Sequence, residues 1–377
     1  MKRVCGLDVH KDNIFVCILN ENGEKIEFKT GVLTVELDSF RDRLVELGVG
    51  EVAMESTAVY WIPIWRILES DFKLYLVNPL SIKQLPGRKS DVKDAEWIAT
   101  CLQKNLIRGS FVPQLVVQQL RQYNRRVFDL GKQAVYIQNK MDAALQRCNI
   151  RISNYVSNVD SKGYLEVVDL LSKGCTDPES LANKIHGRTI NKHGWNTIKA
   201  ALTGVVTDVD SDLLRQYKEE LELLKKHRQE CLMKMREMCE ELYSEELKRI
   251  EEIPGVSAQS ATQIIAEIGI DMKMFLTART LVAWAGLKPR NDGSNGKIKS
   301  RRITHGNKYL KRLLIECSWA ASRTKNCFFN SFSYRMVTIR KKGRLKVQVA
   351  IARKLLVVIW NILAKGVCYS EKIAQTN

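Results

Sequence analysis

Strand-like and helix-like segments alternate in a fixed order through the first hundred residues, and few folds accommodate that order. Arg3 to Val9 is a short apolar run rich in β-formers, Ile14 to Leu19 is a second, and Asn22-Gly23 is a turn signal leading into Lys25 to Thr30. Three strands joined this tightly predict an antiparallel meander. Leu37, Phe40, Leu44 and Leu47 then recur at helical spacing, and Gly48 and Gly50 stop the helix before a strand at Glu51 to Met54. Ile64, Ile67 and Leu68 mark another helix, Leu74 to Val77 a fifth strand, and Asp91 to Leu102 a third helix. The expected domain, residues 1–110, is an α/β unit with three strands, helix, strand, helix, strand, helix.

Past that point the strand signal disappears. Val127, Leu130, Ala134, Ile137, Met141, Ala144 and Cys148 recur at alternating spacings of three and four, and so do Leu214, Tyr217, Leu221, Leu224, Arg228, Cys231, Met235, Met238 and Leu242. Two such seams predict coiled-coil helices across residues 111–248, which either associate with another subunit or pack within their own domain. Residues 163–210, between the seams, carry only helical fragments.

Charge separates the remainder from the rest. The chain has a formal net charge of +18, and between Lys288 and Lys354 there are 19 Lys and Arg against two acids, Asp292 and Glu316. Nearly all the excess sits in one segment of a predicted C-terminal domain, residues 249–377, as a polyanion-binding surface requires. The apolar run Leu355 to Ala364 is ten residues long, against about 20 needed to span a bilayer, so a membrane role is not expected. No export signal opens the sequence, and the ten cysteines include no CxxC pair. They read as reduced thiols of a cytoplasmic protein.

Four carboxylates stand out in the first domain. Asp8 ends the first strand, Glu55 follows the fourth, and Asp91 and Asp94 lie three apart on one helix face. If the first and fourth strands are neighbours, all four converge. Two unit charges about 4 Å apart repel by about 4 kcal/mol at an effective dielectric near 20, so the cluster calls for a cation. Hard oxygen ligands favour Mg²⁺ or Mn²⁺. Taken singly, Asp8 also reads as a turn residue, Glu55 as a surface acid and Asp91 as a helix N-cap.

These residues carry a resemblance. Gly6-Leu7-Asp8-Val9-His10-Lys11, Met54-Glu55-Ser56-Thr57-Ala58-Val59-Tyr60-Trp61 and Lys89-Ser90-Asp91-Val92-Lys93-Asp94-Ala95 resemble the three acidic motifs of the DEDD transposases of insertion sequences. Ile253-Pro254-Gly255-Val256, Ala285-Gly286-Leu287-Lys288-Pro289-Arg290 and Gly306-Asn307-Lys308-Tyr309-Leu310 resemble the second transposase domain of that family. The resemblance implies a RuvC-like, RNase H-fold catalytic domain followed by a mainly α basic domain with a helix-hairpin-helix-like element. It also implies a serine nucleophile in the loop after the Gly-Leu-x-Pro-Arg motif, and the match falls on Ser294. The family usually has glycine directly after that serine, whereas here Asn295 precedes Gly296, which keeps Ser300 as a competitor.

Attack by a serine hydroxyl gives a covalent phosphoserine and conserves bond energy for rejoining. Gly255, at the Pro-Gly turn, is expected to let backbone N–H groups approach a phosphate. Arg290, Lys297, Lys299, Arg301, Arg302, Lys308, Lys311 and Arg312 are expected DNA contacts. The same resemblance implies a noncoding bridge RNA that pairs with donor and target DNA, and a tetramer in which the acidic domain of one subunit meets the serine domain of another. Two other readings stay open: a Holliday-junction-type nuclease that activates water with its four carboxylates, and a nucleic-acid-binding protein without chemistry.

Overall fold

The computed structural model describes residues 3–78, 91–107, 109–290, 292–294, 297–300 and 302–375, without the side chains of 91–93, 292–294 and 297–299. The chain packs as two compact units, Met1–Val112 and Pro113–Asn377.

The first unit is a mixed sheet sandwiched by helices. Its strands are β1 (Arg3–Val9), β2 (Ile14–Leu19), β3 (Lys25–Thr30), β4 (Val49–Glu55) and β5 (Lys73–Val77), with helices α1 (Thr34–Glu46), α2 (Trp61–Leu68) and α3 (Asp91–Gln103). The strand order is β3-β2-β1-β4-β5. β1, β2 and β3 form the expected antiparallel meander, and β4 adds to the other side of β1 in parallel, followed by β5. β4 starts at Val49, earlier than expected, so that Gly50 lies inside the strand rather than ending the helix before it. The reversal is made by Gly48 alone, at φ +65°.

Alternation along the strands divides the core in two. Cys5, Leu7 and Val9 of β1 and Val52 and Met54 of β4 face Leu37, Phe40 and Leu44 of α1 and Ile64 and Leu68 of α2. Val4 of β1, Cys17 of β2 and Ala53 of β4 face Ala95, Ile98, Ala99 and Leu102 of α3. Opposite faces of each strand thus serve different helices, as a period of two demands.

The second unit is mostly helical. Its long helices are α4 (Leu115–Arg147) and, after α5 (Lys162–Ser172), α6 (Pro178–Ala182), α7 (Gly187–His193) and α8 (Trp195–Ala201), the helix α9 (Asp208–Leu242). The two predicted seams meet each other within one chain: Ile137, Met141 and Ala144 of α4 share a core with Leu214 and Leu221 of α9. The pair is antiparallel, since Arg147 at the end of α4 donates to Asp210 at the start of α9, 2.9 Å away. Residues of α5 to α8, which read only as fragments in the sequence, supply Tyr164, Val167, Val168, Leu171, Leu181 and Ile198 to the same core.

Next come α10 (Ser244–Glu251), α11 (Ala258–Ile268) and α12 (Ala278–Trp284), then a hairpin of β6 (Asp292–Ser294) and β7 (Lys297–Ser300). The chain continues as α13 (Lys308–Ala321), α14 (Phe328–Tyr334), α15 (Arg344–Lys365) and α16 (Glu371–Gln375). The apolar run at Leu355 belongs to α15, whose 22 residues and mean hydropathy of 1.7 over the most apolar stretch are enough to cross a membrane by length and composition. The expectation of a ten-residue run was too short, because the helical face begins at Arg344. More than half of that stretch is buried within the unit, with Val347, Ile351, Leu355, Ile359 and Ile362 turned into the core. Gln348 accepts from the buried Ser318 of α13 at 3.0 Å, and Trp360 donates to the Phe275 carbonyl at 2.8 Å. Those contacts account for α15 as a core helix. All ten cysteines are free thiols.

Candidate functional site

Two strand ends bring the first pair of carboxylates together. β1 and β4 run parallel with Leu7 paired to Met54, so Asp8 and Glu55 follow side by side at the same end of the sheet. Parity puts both on one face. Val4 and Ala53 face α3, and Asp8 and Glu55 lie an even number of residues beyond them. Asp8 is 7% exposed, and Glu55 is half-buried.

Helix α3 lies directly on this face. A Cβ on Gly6 would fall 2.3 Å from the Ala95 carbonyl oxygen and 2.4 Å from the Ala99 nitrogen, so the helix rests on bare strand backbone there. At its other end Gln103 donates to the carbonyl of Asn20 at 2.7 Å, next to the β2 residue Leu19 that pairs with Val4. α3 therefore runs antiparallel to β1, with its first turn toward Asp8. From Ala95 back to Asp91 the helix covers about 6 Å, and from Gly6 to Asp8 the strand covers about 7 Å. Positions 91 and 94 precede the sheet-facing Ala95 and Ile98 by one turn each. Asp94 is half-buried. The Asp91 side chain lies outside the described residues, and among those described no three His, Cys, Asp or Glu side chains stand close enough to hold a metal ion.

A partner that the sequence reading did not single out as a site residue is His10. Its Nε2 lies 3.0 Å from Asp8 Oδ2, and its ring meets Phe15 edge-on at 5.6 Å between centroids. The turn is closed by the His10 N–H donating to the Asn13 carbonyl at 3.0 Å. Asn13 Oδ1 in this turn is a buried acceptor with no hydrogen-bond partner among the described residues. Beyond Glu55, the Ser56 N–H donates to the Val77 carbonyl at 2.9 Å and Ala58 adopts φ +45°, a conformation that costs an alanine free energy. The one signal for this loop in the sequence was the motif itself, since alanine does not announce a left-handed turn.

In the second unit, the segment expected as a loop after the Gly-Leu-x-Pro-Arg motif is a β-ribbon. The Thr304 N–H donates to the Lys288 carbonyl and the Arg290 N–H to the Arg302 carbonyl, each at 2.9 Å. Pro289 bridges Ile303. Further out, Asp292 pairs with Ser300, Gly293 with Ile298 and Ser294 with Lys297. Ser294 is thus the last residue of β6, and its side chain, with those of Lys297 and Lys299, lies outside the described residues, as does Arg301 altogether. Ser300 sits lower on the ribbon, where its Oγ accepts from the Arg302 N–H at 3.3 Å.

Both feet of the ribbon are fastened. Gly286 and Gly306 touch backbone to backbone, and the Asn307 N–H donates to the Trp284 carbonyl at 3.1 Å. Asn307 caps α13, its Oδ1 accepting from the N–H groups of Tyr309 and Leu310, both at 2.9 Å. Its Nδ2 donates to Glu267 Oε2 at 2.6 Å. Glu267, fully buried on α11, accepts at its other oxygen from Asn124 of α4 at 2.8 Å, and Gln263 donates to Asn124 Oδ1 at 2.9 Å. Arg121 donates twice to the Glu267 carbonyl, at 3.1 and 2.6 Å, and burial pulls its guanidinium down to about 10. An acid in the otherwise apolar run Ile264 to Ile268 was the one sequence signal for this network.

Of the expected DNA contacts, Arg290, Arg302, Lys308 and Arg312 are exposed. Lys311 is half-buried and donates to the Thr304 carbonyl at 3.4 Å, which ties α13 to the ribbon. Gly255 sits between α10 and α11 at φ +86°, where a Cβ would fall 2.3 Å from the Ala321 nitrogen. That helix contact by itself calls for glycine.

The comparisons with known proteins converge on one class. A DEDD-type family model described as "Transposase" matches residues 5–150, and the model described as "Transposase IS116/IS110/IS902 family" matches residues 247–332. The chain is 25% identical to the "Transposase for insertion sequence element IS1111A" of Coxiella burnetii, over 97% of this chain and 91% of that protein. It is also 25% identical to a "Probable family 20 transposase" of Pseudomonas aeruginosa, over 87% of this chain and 88% of that one. Both relatives are named as transposases, the first of an insertion sequence. The chain carries both transposase domains of the DEDD-type IS110 family.

Proposed function

We propose that this transposase cuts and rejoins DNA through a divalent-metal site of Asp8, Glu55, Asp91 and Asp94 and a nucleophilic Ser294. The observation that carries the first half is the parity of β1 and β4, which supports a shared site for Asp8 and Glu55 beneath the first turn of α3. The strand order, with a parallel fourth strand beside an antiparallel meander, supports an RNase H-like reading of the first unit. All four donors offer hard carboxylate oxygens, which fit Mg²⁺ or Mn²⁺. Such an ion, when bound, supplies polarisation of the phosphate and neutralises charge on the entering and leaving oxygens.

The protein's own groups do the rest. His10 orients the Asp8 carboxylate. Ser294, the last residue of β6 in a ribbon fastened at both feet, is the residue read as supplying the nucleophilic hydroxyl. Its Oγ–P bond forms as one P–O bond of the scissile strand breaks, the serine proton passing to a base and the leaving oxygen taking one up. No bond energy is lost, so a second strand's hydroxyl can reverse the step and join. The exposed Arg290, Arg302, Lys308 and Arg312 neutralise phosphates. Gly255 and the turn around it, read as half of a helix-hairpin-helix, add backbone N–H groups.

The same reading takes element ends and target as the DNA partners, a noncoding bridge RNA as the source of sequence choice, and the cytoplasm as the place of action. A tetramer would let one subunit's carboxylates serve another's serine. The test is a denaturing gel of labelled element ends incubated with protein and Mg²⁺, with and without protease. Wild type should give a protease-sensitive DNA adduct, absent in Ser294→Ala, Asp8→Ala and Glu55→Ala. Cleavage that survives Ser294→Ala with free phosphate ends means that water is the nucleophile, and an adduct that survives it moves the role to Ser300.

A further inference from the structure

A groove of about 420 Å³ opens on the second unit between α4, α9, α11 and α13. Its centre is an aromatic pair, Phe128 of α4 and Tyr309 of α13, edge to face at 5.0 Å between centroids. Both rings are half-buried, so each keeps a surface toward the groove. Cations surround them: Arg125 and Lys308 stand 5.1 Å from the Tyr309 centroid, and Lys132 and Arg312 stand 4.5 and 5.0 Å from that of Phe128. Arg228 of α9 lines the same groove. Among the described residues, two carboxylates stand against these cations, Glu316 paired to Arg312 at 2.9 Å and Asp129 paired to Lys132 at 3.4 Å. The carboxamides of Gln259 and Gln263 form part of the wall.

We propose that this groove holds an unpaired nucleotide of a nucleic-acid strand, its base against Phe128 and Tyr309 and its phosphate among the cations. The inference rests on the transposase reading and goes beyond it, to a site that grips a base outside a duplex. Flat rings interleaved with Lys and Arg are the chemistry of single-strand binding, where stacking supplies affinity without sequence preference. Volume agrees, since small-ligand pockets run from about 300 to 1,000 Å³. Carboxamides can meet the polar edge of a base. An acidic peptide would use the cations and leave the ring surfaces idle. Duplex DNA would use them too, with its bases stacked out of reach.

Three measurements on the full chain decide it. Fluorescence anisotropy with labelled oligothymidylate, oligouridylate and a DNA duplex should show single-strand binding that falls about tenfold or more in Phe128→Ala/Tyr309→Ala, since each stacked base is worth about 1–3 kcal/mol. Duplex binding should change less than about twofold, because the phosphate cations are untouched. Phe128→Tyr and Tyr309→Phe, which keep the rings, should bind as wild type. Wild-type protein crosslinked to iodouracil-bearing strands should yield adducts at Phe128 or Tyr309, a readout needing no variant. The DNA and RNA arms identify which strand is held. Equal losses for single strand and duplex, adducts elsewhere, or a change of subunit number with unchanged single-strand affinity would overturn the proposal, the last by giving the groove to a second copy. Wild type that binds and joins duplex ends but no single strand refutes the groove and leaves the transposase reading intact. Wild type that binds no nucleic acid refutes both.

Discussion

Gly286 and Gly306 lie backbone against backbone at the two feet of the ribbon that carries Ser294: a Cβ on Gly306 would fall 2.3 Å from the Gly286 nitrogen, and one on Gly286 2.8 Å from the Gly306 nitrogen. Neither atom on the far side is a flexible side chain that could step aside. Gly286 also sits at φ +74°. Gly286→Ala and Gly306→Ala should each cost about 1–3 kcal/mol, read as a lower midpoint in urea. They should also open the ribbon to limited proteolysis well below the unfolding transition. Wild-type cleavage kinetics would mean that the contact relaxes at little cost.

Glu267 should behave as the keystone of three helices. Glu267→Gln turns one oxygen into an NH₂ facing a donor, Asn124 or Asn307, and an unsatisfied buried polar group costs about 1–3 kcal/mol. A double-mutant cycle with Asn307→Ala should be strongly non-additive, because the two share one hydrogen bond of 2.6 Å. Additive losses in thermal melts would show that Asn307 acts only as a helix cap.

His10→Ala should leave the fold unchanged and slow adduct formation by about 10–100-fold, the usual cost of removing a hydrogen-bonding neighbour of a metal-binding carboxylate. The Mg²⁺ concentration giving half-maximal activity should rise with it. A variant with wild-type rate and Mg²⁺ dependence would reduce the His10–Asp8 contact to local packing.

The start of α9 carries a pH signature. The Thr207 hydroxyl and backbone N–H, with Arg147, hold the Asp210 carboxyl down from 3.8 to about 2. A carboxyl depressed in the folded state contributes stability above its unfolded value that is lost as pH falls through the folded one. The melting-temperature gap between wild type and Asp210→Asn should therefore be full above about pH 4 and close toward about pH 2. A gap that widens on acidification contradicts the assignment.

Arg290 and Arg302 face each other across the ribbon and are exposed. Replacing either with alanine should weaken duplex binding about equally for all sequences and make the log–log salt slope shallower by about 1. Sequence-selective loss would instead indicate base contact.

How much of this could be read from the residues varies with how local the determining forces are. β1, β2 and β3 were legible to the residue, because alternating β-branched runs and the Asn22-Gly23 turn are short-range signals. The neighbouring placement of Asp8 and Glu55 needed only the guess that β4 joins β1. The ribbon was harder. Lys297 to Arg301 alternates charged with uncharged residues, but Ile298 is its one apolar position, so no hydrophobic face marked the period, and the one strong signal, Asn295-Gly296, also reads as an ordinary loop. The two heptad seams were visible but their partner was not, since a seam does not say whether its mate lies on the same chain. Glu267 stood out only as an acid in an apolar run, and its partners were out of reach, 143 residues before it and 40 after it. Phe128 and Tyr309 meet because α4 and α13 both pack against α11, and nothing near either residue announces the other.

Because the arm bearing position 294 is a paired strand, its reach and its facing are governed by odd and even counts. One residue inserted in each strand below position 294 would turn that position to the opposite side of the ribbon, whereas two in each strand would restore its facing and lengthen the arm by about 7 Å. Redesign of this enzyme should accordingly proceed in steps of two.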